Sequence, residues 1–78
     1  MRIRQDVVDA IVAHALRDDP RECCGLLVGD GEWIRSAMPA ANLAARDTEF
    51  LIDPHDHIIA RREARTRGLS VVGFYHSH

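Results

Sequence analysis

The feature that most constrains the fold is a short, uninterrupted apolar segment near the end of the sequence, Leu69–Tyr75, which is rich in β-branched and aromatic residues. Such a run, preceded by Gly68, predicts a strand that is buried on both faces, with Phe74 in the core. A strand of this kind needs helices to cover its sheet, and the sequence offers Gln5–Asp18 and Pro54–Thr66. These elements predict the α/β class, with a mixed sheet flanked by helices.

The two predicted helices are indicated by different signals. In the first, apolar residues recur at helical spacing, and Pro20 ends the helix soon afterwards. The stripe consists of Val7, Val8, Ile11, Val12, Ala15 and Leu16. The second helix has Asp53 as its N-cap and Pro54 at its first position, and Gly68 is placed to end it. Its apolar side is supplied by Ile58, Ile59 and Ala60.

Turn residues divide the middle of the sequence. The apolar run Gly25–Val28 is closed by Gly-Asp-Gly at 29–31, which predicts a hairpin whose second strand is Glu32–Ala37. Met38–Thr48 has no clean periodicity and is predicted to be an irregular connection, and Glu49–Ile52 is predicted to be a short strand.

The composition excludes several classes of function. A net charge of −2 and a pI near 6.2 give no basic surface for nucleic acid. No apolar run approaches the roughly 20 residues that cross a bilayer, and no signal peptide opens the chain, so we expect no membrane partner and a cytoplasmic location. Cys23 and Cys24 are adjacent, a spacing that disfavours a disulfide, and both are expected to be reduced thiols.

The end of the sequence carries the candidate metal ligands, His76 and His78. Residues two apart on a strand point to the same face, so two imidazoles at this spacing can bind one zinc ion. A second His-x-His, His55 and His57, lies in the first turn of a predicted helix, where residues two apart diverge by about 200° and do not share one ion. On its own, His-x-His is a weak signal, since terminal histidines are often only solvated.

The wider context makes the signal specific. Glu22-Cys23-Cys24-Gly25 opens a strand, and later the apolar segment ends in His76-Ser77-His78. This order of motifs resembles the JAMM (JAB/MPN-plus) zinc metalloproteases, in which a glutamate precedes the first core strand and a His-Ser-His or His-Thr-His ends a later one. The N-terminal helix followed by Pro-x-Glu is similar to bacterial and archaeal single-domain members. The resemblance implies a JAB/MPN-like fold with cytidine-deaminase-like layers.

The resemblance also implies roles for individual residues. His76 and His78 would be zinc ligands, and Glu22 would be the general base that takes a proton from a zinc-bound water. In the family the motif continues with a serine and with an aspartate that is the third protein ligand, and neither follows here. Residues 1–78 are therefore expected to be the N-terminal part of a single JAB/MPN-like domain, truncated after its central strand and inactive alone.

Three interpretations of function stay open at this point. The resemblance favours a metallopeptidase that cleaves after the C-terminus of a ubiquitin-like or sulfur-carrier protein. The alternatives are a catalytically incomplete MPN-type binding or scaffold module, and a fragment that needs a complementing chain or a second copy of itself. A zinc deaminase is excluded, because the sequence has neither His-x-Glu nor Pro-Cys-x-x-Cys.

Overall fold

The computed structural model describes residues 1–77 and shows a mixed four-stranded sheet with two helices. The elements are β1 (Arg2–Ile3), α1 (Gln5–Asp18), β2 (Cys24–Gly29), β3 (Trp33–Ala40), α2 (Pro54–Thr66) and β4 (Ser70–His76). The strand order is β1-β3-β2-β4, in which β1 runs parallel to β3 and the other neighbours are antiparallel. The predicted α/β class and mixed sheet are confirmed.

The core lies on both faces of β2. Alternation along this strand puts Cys24, Leu26 and Val28 on one face, and all three are fully buried. Successive residues of β4 show which helix covers which face: Tyr75 contacts His14 of α1, whereas Phe74 contacts His57 of α2. The two helices therefore lie on opposite faces of the sheet.

Both helices have the predicted bounds, but they bury narrower surfaces than predicted. In α1, Val7 and His14 are buried, whereas Val12 and Leu16 are 51% and 73% exposed, so the predicted stripe is wrong at those two positions. Since the helices lie on opposite faces of the sheet, each is covered by the sheet alone among residues 1–77, and the sheet covers only part of its apolar side. On α2 the same holds, since the small side chains Ala60 and Ala64 make the close contact, and Ile58 and Ile59 are exposed.

The ends of α2 follow the sequence signals. The Asp53 side chain accepts a hydrogen bond from the backbone N–H of His55 (2.9 Å), which caps the N-terminus. After the helix, Gly68 has a φ of +71°, the left-handed conformation that favours glycine.

The strands depart from the prediction in three places. β3 extends to Ala40, through Pro39. Proline is tolerated there because β1 pairs only with Trp33 and Ile34, which leaves the outer edge of β3 beyond them without a partner strand among residues 1–77. The predicted strand Glu49–Ile52 is wrong, since this stretch forms only an isolated bridge between Asn42 and Ile52.

The third departure concerns β4, which was predicted to be buried on both faces. In the described part of the chain it pairs with β2 alone and forms one edge of the sheet. Phe74 is 54% exposed, so its predicted place in the core is wrong for residues 1–77. Its ring lies against His57, and the side of β4 away from β2 borders a groove under α2 of about 520 Å³.

The turn between β2 and β3 is organised by Asp30, and this yields a prediction about acid stability. Its carboxylate accepts hydrogen bonds from the backbone N–H groups of Trp33 (2.8 Å) and Glu32 (3.0 Å) and from Arg35 Nε (2.7 Å). These bonds, chiefly the backbone ones, lower the pKa of Asp30 from 3.8 to about 2. Because the folded pKa is the lower one, this stabilisation is present above pH 3.8 and is lost as pH falls towards 2.

We therefore expect Asp30→Asn to melt at a lower temperature than the unsubstituted chain at pH 7. The difference should shrink between pH 4 and pH 2, as the carboxylate of the unsubstituted chain becomes protonated. Circular dichroism melting curves across this range measure it. A difference in melting temperature that stays constant with pH would contradict the assignment.

Candidate active site

Strand register brings Glu22 and His76 to one place. His76 pairs with Cys24 across the β2–β4 ladder. Beyond that pair, Ser77 donates its backbone N–H to the carbonyl of Cys23 (3.2 Å), so the two chains stay side by side. Because side chains alternate, Glu22 lies on the same face as Cys24 and is the diagonal neighbour of His76.

The two side chains are directly hydrogen-bonded. His76 Nδ1 and Glu22 Oε1 are 2.7 Å apart, and since a carboxylate only accepts, the Nδ1–H is the donor. The Glu22 side chain is 3% exposed, whereas that of His76 is 42% exposed. A buried carboxylate is costly unless it is paired and hydrogen-bonded, and the imidazole supplies such a partner. The pair therefore has a buried acid beneath a solvent-accessible ring.

Phe50 completes the surroundings of His76, a contact that no sequence pattern indicated. The two rings stack with their centroids 4.4 Å apart and an interplanar angle of 16°. The hydrogen bond to Nδ1 and the stack on the face fix the orientation of the imidazole. Within residues 1–77 the other ring nitrogen, Nε2, has no hydrogen-bond partner.

The segment before β2 is tied to the loop between β3 and α2. Glu22 donates its backbone N–H to the carbonyl of Asp47 (2.9 Å). Arg21 donates to the carbonyls of Asn42 and Ala44, both at 2.7 Å, and forms an ion pair with Asp47 at 3.3 Å. The loop that carries Phe50 is thus fastened to Arg21 and to the backbone of Glu22 itself.

Cys23, Cys24 and Ser77 have structural roles. The Ser77 hydroxyl accepts from the backbone N–H of Cys23 (3.0 Å), which holds the end of β4 against the start of β2. Both cysteines are free and buried, and burial raises the pKa of each thiol.

A second buried hydrogen-bond chain anchors β4 from the opposite face. His14 Nε2 lies 3.1 Å from Asp18, and His14 Nδ1 lies 2.9 Å from the Tyr75 hydroxyl. The Asp18 carboxylate only accepts, so His14 Nε2–H is the donor to it, and in a neutral imidazole Nδ1 then accepts from the Tyr75 O–H. This chain fixes the residue immediately before His76.

The residues at this site fit a zinc ion only in part. A histidine that donates one ring N–H to a carboxylate and keeps the other nitrogen open is the usual arrangement of a metal-binding imidazole. However, residues 1–77 contain no group of three or more His, Cys, Asp or Glu side chains that could hold a metal ion. The second predicted ligand, His78, lies outside the described residues. The other His-x-His pair is used differently, since the ring of His57 lies edge-on to Phe74.

Comparison with known proteins shows the family to which the chain belongs. The family described as "Prokaryotic homologs of the JAB domain" matches residues 4–78, almost the whole chain. The chain belongs to this family. The expected membership of the JAB/JAMM group is therefore confirmed.

Three relatives of this JAB-family chain show how similar it is to named proteins and how much of each it covers. It is 33% identical over 85 residues to a desampylase of Haloferax volcanii, covering 100% of the chain and 61% of the relative. It is 36% identical over 78 residues to the CysO-cysteine peptidase of Mycobacterium tuberculosis, covering 97% and 53%. It is also 39% identical over 77 residues to tail tip assembly protein K of Escherichia phage N15, covering 97% and 29%.

A solved structure supports the same fold. The solution structure of protein DSY2949 from Desulfitobacterium hafniense superposes with a TM-score of 0.89 at 32% identity, covering 99% of this chain and 56% of that one. The chain thus spans between about a third and three fifths of the length of these relatives.

Within residues 1–77, neither helix is long and apolar enough to cross a membrane.

Proposed function

We propose that this chain is the N-terminal part of a zinc-dependent peptidase or isopeptidase that cleaves after the C-terminus of a ubiquitin-like or sulfur-carrier protein. The observation that carries the proposal is the 2.7 Å contact between Glu22 and His76, which puts a buried acid beside a candidate zinc ligand. Membership of the JAB family and the names of the two peptidase relatives support it. The cytoplasm is the compartment we expect.

In this proposal, His76 and His78 would hold the zinc ion, and Glu22 would stand beside them as the base. The third protein ligand, an aspartate in the family, is not supplied by these 78 residues. When bound, zinc lowers the pKa of a coordinated water to about 7 and polarises the scissile carbonyl.

The protein's own groups move the proton and fix the geometry. Glu22 accepts the proton of the attacking water on its carboxylate and returns it to the nitrogen of the leaving amine. A carboxylate has about four lone-pair sites, so accepting from His76 at Oε1 is compatible with holding a proton. The hydrogen bond also keeps Nδ1 protonated and leaves Nε2 as the lone-pair donor.

The surface next to the pair suits an extended peptide tail. Phe50 is 40% exposed beside His76, and the same loop presents Leu43 and Leu51, which are 52% and 57% exposed. Apolar side chains that stay exposed beside a buried acid are a common feature of binding clefts. We propose that the C-terminal tail of the ubiquitin-like partner lies along this loop.

A second candidate function is a binding or scaffold module. The phage relative, named a tail tip assembly protein, favours it. Such a module would bind its partner without metal. Pairing with a second copy or a complementing chain is compatible with either function.

Removal of zinc separates the two candidates. The full-length protein would be incubated with a fusion that joins a peptide to the C-terminus of a ubiquitin-like sulfur carrier. We expect chelation to reduce cleavage by about 100-fold or more, because zinc contributes several kcal/mol to this chemistry, and added zinc but not magnesium should restore it. Cleavage that is indifferent to chelation, or binding of the intact fusion with no cleavage even after zinc is added, would contradict the peptidase proposal.

A further inference from the structure

Asn42 makes more side-chain hydrogen bonds to backbone groups than its place in an irregular loop would suggest. Its Nδ2 donates to the carbonyls of Glu22 and Glu49, both at 2.9 Å. Its Oδ1 accepts from the backbone N–H groups of Ala44 and Leu51, both at 3.0 Å. Both amide hydrogens and both lone pairs of one side chain are therefore used.

These four bonds connect the two sides of the loop that joins β3 to α2. The loop has little backbone pairing of its own. It has an isolated bridge, made by the bonds from Leu43 to Leu51 (2.8 Å) and from Asp53 to Ala41 (3.1 Å), and one turn bond from Glu49 to Arg46 (3.2 Å). Without regular secondary structure, the conformation of such a loop depends on its side-chain contacts. Asn42 supplies contacts to both of its arms and to the segment before β2.

Two of the backbone groups that Asn42 binds belong to the candidate site or adjoin it. One of its bonds is to the carbonyl of Glu22, whose side chain is the buried acid. Another is to the carbonyl of Glu49, and the next residue, Phe50, stacks on His76. The same side chain thus sets the position of the acid's backbone and of the ring that covers the imidazole.

We infer that Asn42 is a positioning residue, which holds Phe50 on His76 and thereby fixes the imidazole against Glu22. The inference rests on the proposed function of the Glu22–His76 pair and adds a residue that does not touch the reacting atoms. Only an amide of this length fits the four contacts. An aspartate has no N–H to donate, and it would place a carboxylate against two carbonyl oxygens.

The test uses Asn42→Asp, with Asp30→Asn as the matched control. Asp30 also holds several backbone groups, but it lies in the β2–β3 turn, at the other end of β2 from Glu22. Phe50→Leu provides the reference state without a stacked ring. In each metal-free protein, the chemical shifts of the His76 ring protons report the ring current of Phe50.

We expect Asn42→Asp to move the His76 proton shifts towards those of Phe50→Leu, and Asp30→Asn to leave them unchanged. In the full-length enzyme, Asn42→Asp should lower kcat about 10-fold or more, the cost typical of losing a group that orients a metal ligand, with a smaller change in KM. Unchanged His76 shifts in a folded Asn42→Asp protein would overturn the inference.

A measurement on the unsubstituted protein covers the case in which Asn42→Asp does not fold. Among residues 1–77, Asn42 is the only hydrogen-bond partner of the Leu51 N–H, so we expect its hydrogen exchange to be slower than in an unstructured chain by roughly 100-fold or more. Exchange at the unstructured rate would overturn the inference. The chemical shifts and the hydrogen exchange are both measured without zinc or substrate. They can therefore support the role of Asn42 even if the chelation experiment contradicts the peptidase proposal, and they can contradict the role of Asn42 even if chelation supports that proposal.

Discussion

Replacing Glu22 with glutamine is expected to lower kcat of the full-length protein by about 10²–10⁴-fold, the usual contribution of a general base, while zinc stays bound. Glutamine keeps the shape of the side chain, and its carbonyl oxygen can still accept from His76 Nδ1. What it loses is the ability to take up a proton. Steady-state kinetics on a ubiquitin-like fusion and zinc analysis of the same sample measure the two quantities.

The matched control for this variant is Glu63→Gln, on the exposed surface of α2. It makes the same chemical change away from the site and should leave both kcat and zinc content unchanged. Turnover by Glu22→Gln within about twofold of the unsubstituted enzyme would remove Glu22 from the role of base. Loss of zinc together with activity would instead make Glu22 a support of the metal site.

The second large effect concerns stability. A Cβ atom added to Gly25 would overlap the ring of Tyr75, which is 7% exposed and anchored to His14. Overpacking of this kind costs roughly 1–3 kcal/mol, and loss of the buried hydrogen bond adds about 1 kcal/mol. We expect Gly25→Ala to lower the free energy of unfolding by about 2–4 kcal/mol, which in a domain of this size lowers Tm by roughly 10–20 °C.

Gly73→Ala provides the comparison, because it places the same methyl group on β4. There the added Cβ meets only Leu27 Cδ1, at 3.6 Å, an ordinary contact. Alanine also restricts the unfolded chain, so this variant should be neutral or stabilising by a few tenths of a kcal/mol. Equal melting temperatures for the two variants would contradict the close approach of Tyr75 to β2.

The sequence predicted the elements of this fold wherever a local signal was strong. Helical periodicity, the Asp53–Pro54 start and Gly68 gave both helices their observed bounds. The β2–β3 hairpin followed from the turn at 29–31. The pairing of Glu22 with His76 was expected only through the family resemblance, because antiparallel register between distant segments leaves no local trace in a sequence.

The predictions that were wrong or missing concerned burial and contacts, which depend on tertiary structure. Apolar character alone could not show that Leu16 and Phe74 stay exposed among residues 1–77, since burial depends on what covers a face. The role of His14 was missed because a helical histidine is buried only when partners such as Tyr75 are available. The contacts of Asn42 join residues on three separate segments, and nothing in the surrounding polar loop distinguishes it.

Zinc binding by the imidazoles of the His-Ser-His motif, beside Glu22, is the property on which the proposed function depends. Its most direct test is the zinc dissociation constant of the full-length protein and of His76→Ala, His78→Ala and His55→Ala, measured by competition with a chromophoric chelator. We predict that the first two substitutions each weaken binding by more than about 100-fold, since losing an orienting partner alone costs about 10–100-fold, and that His55→Ala has no effect. Unchanged affinity in His76→Ala, or an equal loss in His55→Ala, would contradict the claim.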